Sequence, residues 1–80
     1  MTKNELFELI KTQSADLLGL DESMITMTSN YRDDLGTDSL MLAELIFEVE
    51  EKFKIIIPDA DAEKLDTVGS VVEYLFEHQE

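Results

Sequence analysis

The sequence predicts an all-α fold. The expected form is a small four-helix bundle of three main helices plus one short helix, with a long loop between helices one and two. Three observations carry that expectation. Apolar residues recur at helical spacing in three stretches, and each stretch is opened by capping-type residues. The best β-forming cluster, Ile55-Ile56-Ile57, has no second segment to pair with and is stopped by Pro58. Eighty residues, 44% of them hydrophobic, make one small core. Residues 1–80 are therefore expected to form a single domain.

Helix one is expected over residues 3–18. Thr2 and Glu5 form a capping-box pattern, in which each side chain reaches the other's backbone N–H. Leu6, Leu9, Ile10, Leu17 and Leu18 then follow at helical spacing, with Gln13 or Ser14 interrupting the stripe, and Gly19 is placed to end it. Residues 20–38 show no periodicity. Loops of this length are uncommon in small domains and are often functional. Ile25, Met27, Tyr31 and Leu35 are the expected anchors, with a helical turn around Ser23 to Ile25.

Helix two is expected from Ser39 to about Phe53. Gly36 and the capping-type run Thr37-Asp38-Ser39 precede an uninterrupted helical pattern without Gly or Pro. Ser39 should lie at the helix N-terminus or one residue inside it. Leu42, Leu45, Ile46, Val49 and Phe53 form one apolar stripe, expected to face the core. Leu40, Met41, Ala43 and Phe47 form a second, interleaved with Glu44, Glu48 and Glu51. A helix with this much apolar surface is either buried on two sides or offers a carboxylate-rimmed face to a partner. An extended linker should follow, then a short helical turn from Asp59 as cap to about Leu65. The last helix should run from Val68 to about His78 behind Asp66-Thr67, with Val68, Val71, Val72, Leu75 and Phe76 on its apolar face.

Charge and composition narrow the function. Nineteen acidic against six basic residues give a net charge of −13. Nucleic acids and anionic membranes are met by Lys and Arg, so neither is an expected partner; basic protein surfaces are. The same charge should destabilise the fold by self-repulsion. No segment reaches membrane-spanning length and no signal-peptide pattern opens the chain, so a cytoplasmic protein without membrane insertion is expected. The absence of cysteine excludes disulfides and thiolate metal ligands.

Catalytic motifs are missing. The one histidine, His78, lies close to the C-terminus, away from any expected nucleophile, and no nucleophile-elbow pattern surrounds Ser39. An EF-hand reading from Asp59 fails, because Lys64 stands where Gly is required and Ser70 where the bidentate Glu is required. No specific metal site is expected. Ser39 itself is compatible with a plain capping role or with phosphorylation. A helix start also favours an anionic group on that hydroxyl, because the helix dipole is positive there.

From Asp34 onward the chain resembles the acyl carrier proteins, the phosphopantetheine-dependent carrier family. Asp34-Leu35-Gly36-Thr37-Asp38-Ser39-Leu40 is similar to that family's attachment motif. Ala43-Glu44-Leu45, Glu50-Glu51-Lys52-Phe53, Ile57 to Leu65 and Thr67 to Leu75 follow at the family's spacing. The resemblance implies a non-catalytic carrier with 4′-phosphopantetheine on Ser39, delivered from coenzyme A by a separate synthase, with Asp38 helping to present the serine. Acyl intermediates would ride on the arm as thioesters, most simply in fatty acid biosynthesis. The resemblance also implies a docking face of Leu40, Met41, Ala43, Glu44, Phe47, Glu48, Glu51 and Ile56 for basic surfaces of the holo-carrier synthase and acyl-transferring enzymes. The acyl chain would shelter near Tyr31, Leu45, Ile46, Val49, Ile57 and Leu65. A monomer is expected. Met41 and Ile56 depart from the family pattern, which has charged or polar residues at these places. Carriers of polyketide, peptide or D-alanine pathways stay open as alternatives, as does a non-covalent acidic helical adaptor.

Overall fold

The computed structural model describes residues 1–79. Among them lie four α-helices and no strand: α1 (Lys3–Leu18), α2 (Ser39–Phe53), α3 (Asp59–Ala62) and α4 (Val68–His78), with a single 3₁₀ turn at Glu22–Met24 in the long loop. The three long helices begin where local chemistry places them. Thr2 and Glu5 exchange hydrogen bonds at 2.9 and 3.1 Å at the start of α1. Thr67 and Ser70 do the same for α4, both at 3.0 Å. Such caps satisfy backbone N–H groups that have no partner inside the helix. Gly19 ends α1 in the left-handed conformation, φ 68°. Lys54 ends α2 in the same conformation, φ 54°, where a side chain is ordinarily disfavoured.

One face of each long helix meets the others. Leu6 and Ile10 of α1, Leu45 and Val49 of α2, and Val68, Val71, Val72 and Leu75 of α4 are buried together. Each such side chain contributes roughly 1.5–3 kcal/mol when fully removed from water. α1 packs chiefly on α4 and less extensively on α2.

The long loop is fastened to this core by both side chains and backbone. Ile25 and Tyr31 are buried anchors as expected, and Leu35 is half-buried. Met27 is exposed instead; what it contributes is its carbonyl, which accepts from Gly69 N–H at 2.8 Å. An antiparallel bridge pairs Asn30 with Thr67, with Tyr31 N–H donating to Asp66 O at 2.9 Å and Val68 N–H to Ser29 O at 3.0 Å.

The third helix is shorter than the sequence suggests. It ends at Ala62, not Leu65, and its N-cap is Pro58 without a side-chain bond, so Asp59 lies in the first turn. Lys64 N–H to Asp61 O and Leu65 N–H to Ala62 O close tighter three-residue turns. That tightening carries Leu65 into the core, where it is buried. Phe76, expected on the apolar face of α4, is exposed, and Lys3 Nζ sits 5.2 Å from its ring centroid.

Candidate functional site

The site is built around the start of α2. Asp38 is the N-cap: its carboxylate accepts from Met41 N–H at 2.9 Å and its carbonyl from Leu42 N–H at 3.0 Å. Ser39 is therefore the first helical residue, and it is exposed. Thr37, a capping-type residue by sequence, turns inward. It is buried, and its hydroxyl and N–H both donate to Tyr31 O, at 2.8 and 2.9 Å. Gly36, at φ 70°, supplies the reversal that lets the chain fold back in this way.

Below Ser39 runs a groove of about 690 Å³ between α2 and α3. On the α2 side Ser39 heads it, and Leu42, Ala43 and Ile46 continue it at the i+3, i+4 and i+7 positions. Ile57, Ala62 and Leu65 form the facing apolar wall. Two polar contacts hold that wall in place. Glu50 Oε2 accepts from Ile57 N–H at 2.8 Å. Tyr74, from α4, donates its hydroxyl to Asp61 Oδ2 at 2.9 Å. Desolvation and then the Asp61 carboxylate push the Tyr74 hydroxyl pKa above its ordinary value.

The residues expected to shelter an acyl chain divide into two sets. Ile46, Ile57 and Leu65 line the groove. Tyr31, Leu45 and Val49 lie behind it, in the packed core, with essentially no exposure. The Tyr31 hydroxyl is pushed up to about 12 by burial, against the lowering effect of its hydrogen bond to Ser14. Leu42, Ala62 and Glu50 also belong to the groove. Counting i+3, i+4, i+7 and i+11 from Ser39 finds Leu42, Ala43, Ile46 and Glu50 in the sequence, whereas Ala62 carries no such signal.

The outward face of α2 holds the expected docking residues. Leu40 and Phe47 are exposed, as are Glu44, Glu48 and Glu51 along the same side. Met41 is half-buried, while Ala43 is exposed and turned toward the groove rim. Ile56 is 84% exposed and shares a shallow depression with Phe47. No group of three or more His, Asp or Glu side chains converges as a metal cage among the described residues.

Ser39 is thus an exposed serine at a helix start, heading a mixed polar and apolar groove beside a face of apolar anchors and carboxylates. Comparisons with known proteins show the family. A family model described as the phosphopantetheine attachment site matches residues 8–75. The acyl carrier protein of Rubrobacter xylanophilus is 48% identical over 79 residues, covering 99% of this chain and 98% of the relative. That of Clostridium perfringens is 51% identical over 75 residues, covering 94% and 99%. A solved structure of the acyl carrier protein from Enterococcus faecalis superposes with a TM-score of 0.83 at 32% identity, covering 99% of this chain and all of that one. The chain belongs to the acyl carrier protein family, whose members carry a phosphopantetheine arm and are carriers, not catalysts.

The residues present fit such an arm. A phosphate ester on Ser39 would sit at the positive end of α2, above a groove that includes the apolar residues Leu42, Ile46, Ile57 and Leu65. The thiol that the chain lacks is the chemistry the arm supplies when bound.

Proposed function

We propose that Ser39 Oγ is the attachment point of 4′-phosphopantetheine and that the chain shuttles acyl thioesters, in fatty acid biosynthesis, as a monomeric single-domain protein of the cytoplasm. The observation that carries this reading is the placement of Ser39: exposed, first in α2, and at the head of a groove whose floor holds Leu42, Ile46, Ile57 and Leu65. Asp38 fixes the start of the helix and adds negative charge beside the hydroxyl, a feature a basic transferase surface can use. The growing chain would lie along Leu42, Ile46, Ile57 and Leu65. The outward face of Leu40, Phe47, Glu44, Glu48, Glu51 and Ile56 would meet basic surfaces of the holo-carrier synthase and the acyl-transferring enzymes, since an acidic rim around apolar anchors suits Arg- and Lys-bearing partners.

The experiment is intact mass of the protein from its native host and after incubation with coenzyme A and a phosphopantetheinyl transferase, beside Ser39→Ala. A gain of one phosphopantetheinyl group, lost in the variant, is the expected result, and acyl mass on the native protein names the pathway. A straight saturated series supports fatty acid synthesis; a polyketide, aminoacyl or D-alanyl mass assigns the carrier to that pathway instead. A chain that resists loading in both settings is an unmodified adaptor.

A further inference from the structure

The groove headed by Ser39 has one cation on its lining, and that cation is the only arginine of the chain, Arg32. Backbone bonds, not its own side chain, fix where Arg32 sits. Asn30 Oδ1 accepts from Arg32 N–H at 2.9 Å and from Asp33 N–H at 3.0 Å. Tyr31, the preceding residue, is buried, and its carbonyl takes both donors of Thr37. Arg32 follows Tyr31 and Asp38 follows Thr37, so these bonds hold the Arg32 segment beside the Asp38–Ser39 helix start.

The charge balance around Arg32 is unusual for this surface. Its neighbours on the groove include Asp33, Asp59, Glu63 and Asp66, yet the ion pairs among the described residues belong to Lys3 and Lys11. A guanidinium with no carboxylate pair among the described residues, in a chain of net charge −13, remains available to another anion. Its planar fork of donors matches a phosphate, which carboxylate repulsion from Asp33 and Asp38 would otherwise disfavour at this place.

We propose that Arg32 is a positioning residue for the prosthetic arm: its guanidinium receives the phosphodiester on Ser39 and holds the root of the arm over the groove between α2 and α3. The proposal rests on Ser39 being the attachment point, and the test separates the two.

Uniformly ¹⁵N-labelled wild type, Arg32→Lys and Arg32→Gln are each loaded from coenzyme A by a transferase, with intact mass taken first. Failure of wild type to gain the arm overturns the Ser39 reading and this proposal together. With loading complete, the Arg32 Nε–H signal is unambiguous, because the chain has no other arginine. It is expected to shift between unloaded and loaded protein, and to shift less at high salt. The ³¹P signal of the arm is expected to move in Arg32→Gln and to stay near wild type in Arg32→Lys. Loading should raise the thermal midpoint of wild type by about 2–4 °C more than that of Arg32→Gln, the scale of one exposed ion pair in a domain of this size. An unmoved Nε–H signal together with identical ³¹P signals overturns the proposal. So does a variant that loads slowly but, once loaded, matches wild type, since Arg32 would then serve the transferase and not the arm.

Discussion

The Tyr31 hydroxyl and Ser14 Oγ lie 3.0 Å apart with both residues fully buried, so the loop that leads to Ser39 is anchored to α1 by a hydrogen bond inside an otherwise apolar core. Removing one partner strands the other, at a cost of about 1–3 kcal/mol. Tyr31→Phe and Ser14→Ala should each lower stability by that amount in urea denaturation. The double variant should cost less than the sum, because no orphaned hydroxyl remains. Strict additivity would show that the two groups do not act as a pair.

Gly69 makes an opposite prediction to the one helix propensity gives. In an exposed helix, Gly to Ala gains roughly 1 kcal/mol. Here a Cβ on residue 69 would fall 2.7 Å from the Met27 carbonyl oxygen, which is backbone and already bonded to Gly69 N–H. Gly69→Ala should therefore destabilise the protein, by about 1–3 kcal/mol, as overpacking does. A raised thermal midpoint would mean that the loop yields freely at Met27.

Acid should act on the start of α1 with a defined sign. The Glu5 carboxyl is held below its ordinary 4.5, first by the Thr2 backbone N–H and then by the Thr2 side chain. A carboxyl depressed by folding stabilises above its unfolded pKa, and that stabilisation is lost as pH falls through the folded value. The thermal midpoints of wild type and Glu5→Gln should differ at neutral pH and converge below pH 4.5. The comparison cancels the relief of general acidic repulsion, which both proteins share. A gap that stays constant down to low pH would rule out the capping carboxylate as its source.

General repulsion is read separately. With a net charge of −13, unloaded protein should melt at a higher temperature as salt increases. Raising ionic strength from about 0.01 M to about 1 M shortens the screening length from roughly 30 Å to roughly 3 Å. A flat midpoint across that range would show that the charges are already well separated.

The apolar departures on the proposed docking side make the fifth prediction. Ile56 is 84% exposed, so Ile56→Asp should change stability by no more than about 0.5 kcal/mol. If partners bury it, kcat/KM of acyl transfer onto the carrier should fall at least about tenfold, given the roughly 1.5–3 kcal/mol that a buried isoleucine contributes. Met41→Asp offers a matched comparison at a half-buried site. Unchanged rates for both with the native synthase would remove these residues from the docking face.

Much of this was legible in the sequence, for reasons that lie close together along the chain. The capping pairs Thr2–Glu5 and Thr67–Ser70, and the cap Asp38, are local, and the three long helices begin at them. The resemblance to the family's attachment motif likewise reads in order from Asp34 to Leu40. What was not legible depends on residues far apart. Nothing near Lys54 announces a left-handed residue, since that conformation follows from the linker returning to Glu50. The early end of α3, with the tight turns that carry Leu65 into the core, and the burial of Tyr31, Leu45 and Val49 behind the groove depend on how the elements pack against one another. Ser39's hydroxyl and Arg32's guanidinium come to one groove only because the loop closes on Thr37.

The bridge between Asn30 and Thr67 gives that loop a particular kinetic character. Tyr31 N–H and Val68 N–H are each locked across it, one on the loop and one on the first turn of α4. Neither amide can reach solvent without its counterpart's strand of backbone lifting away, so the two should exchange with deuterium at one common, slow rate. The stretch of loop around Asn30 thus opens only together with the start of α4, and that coupling keeps the approach to Ser39 in register.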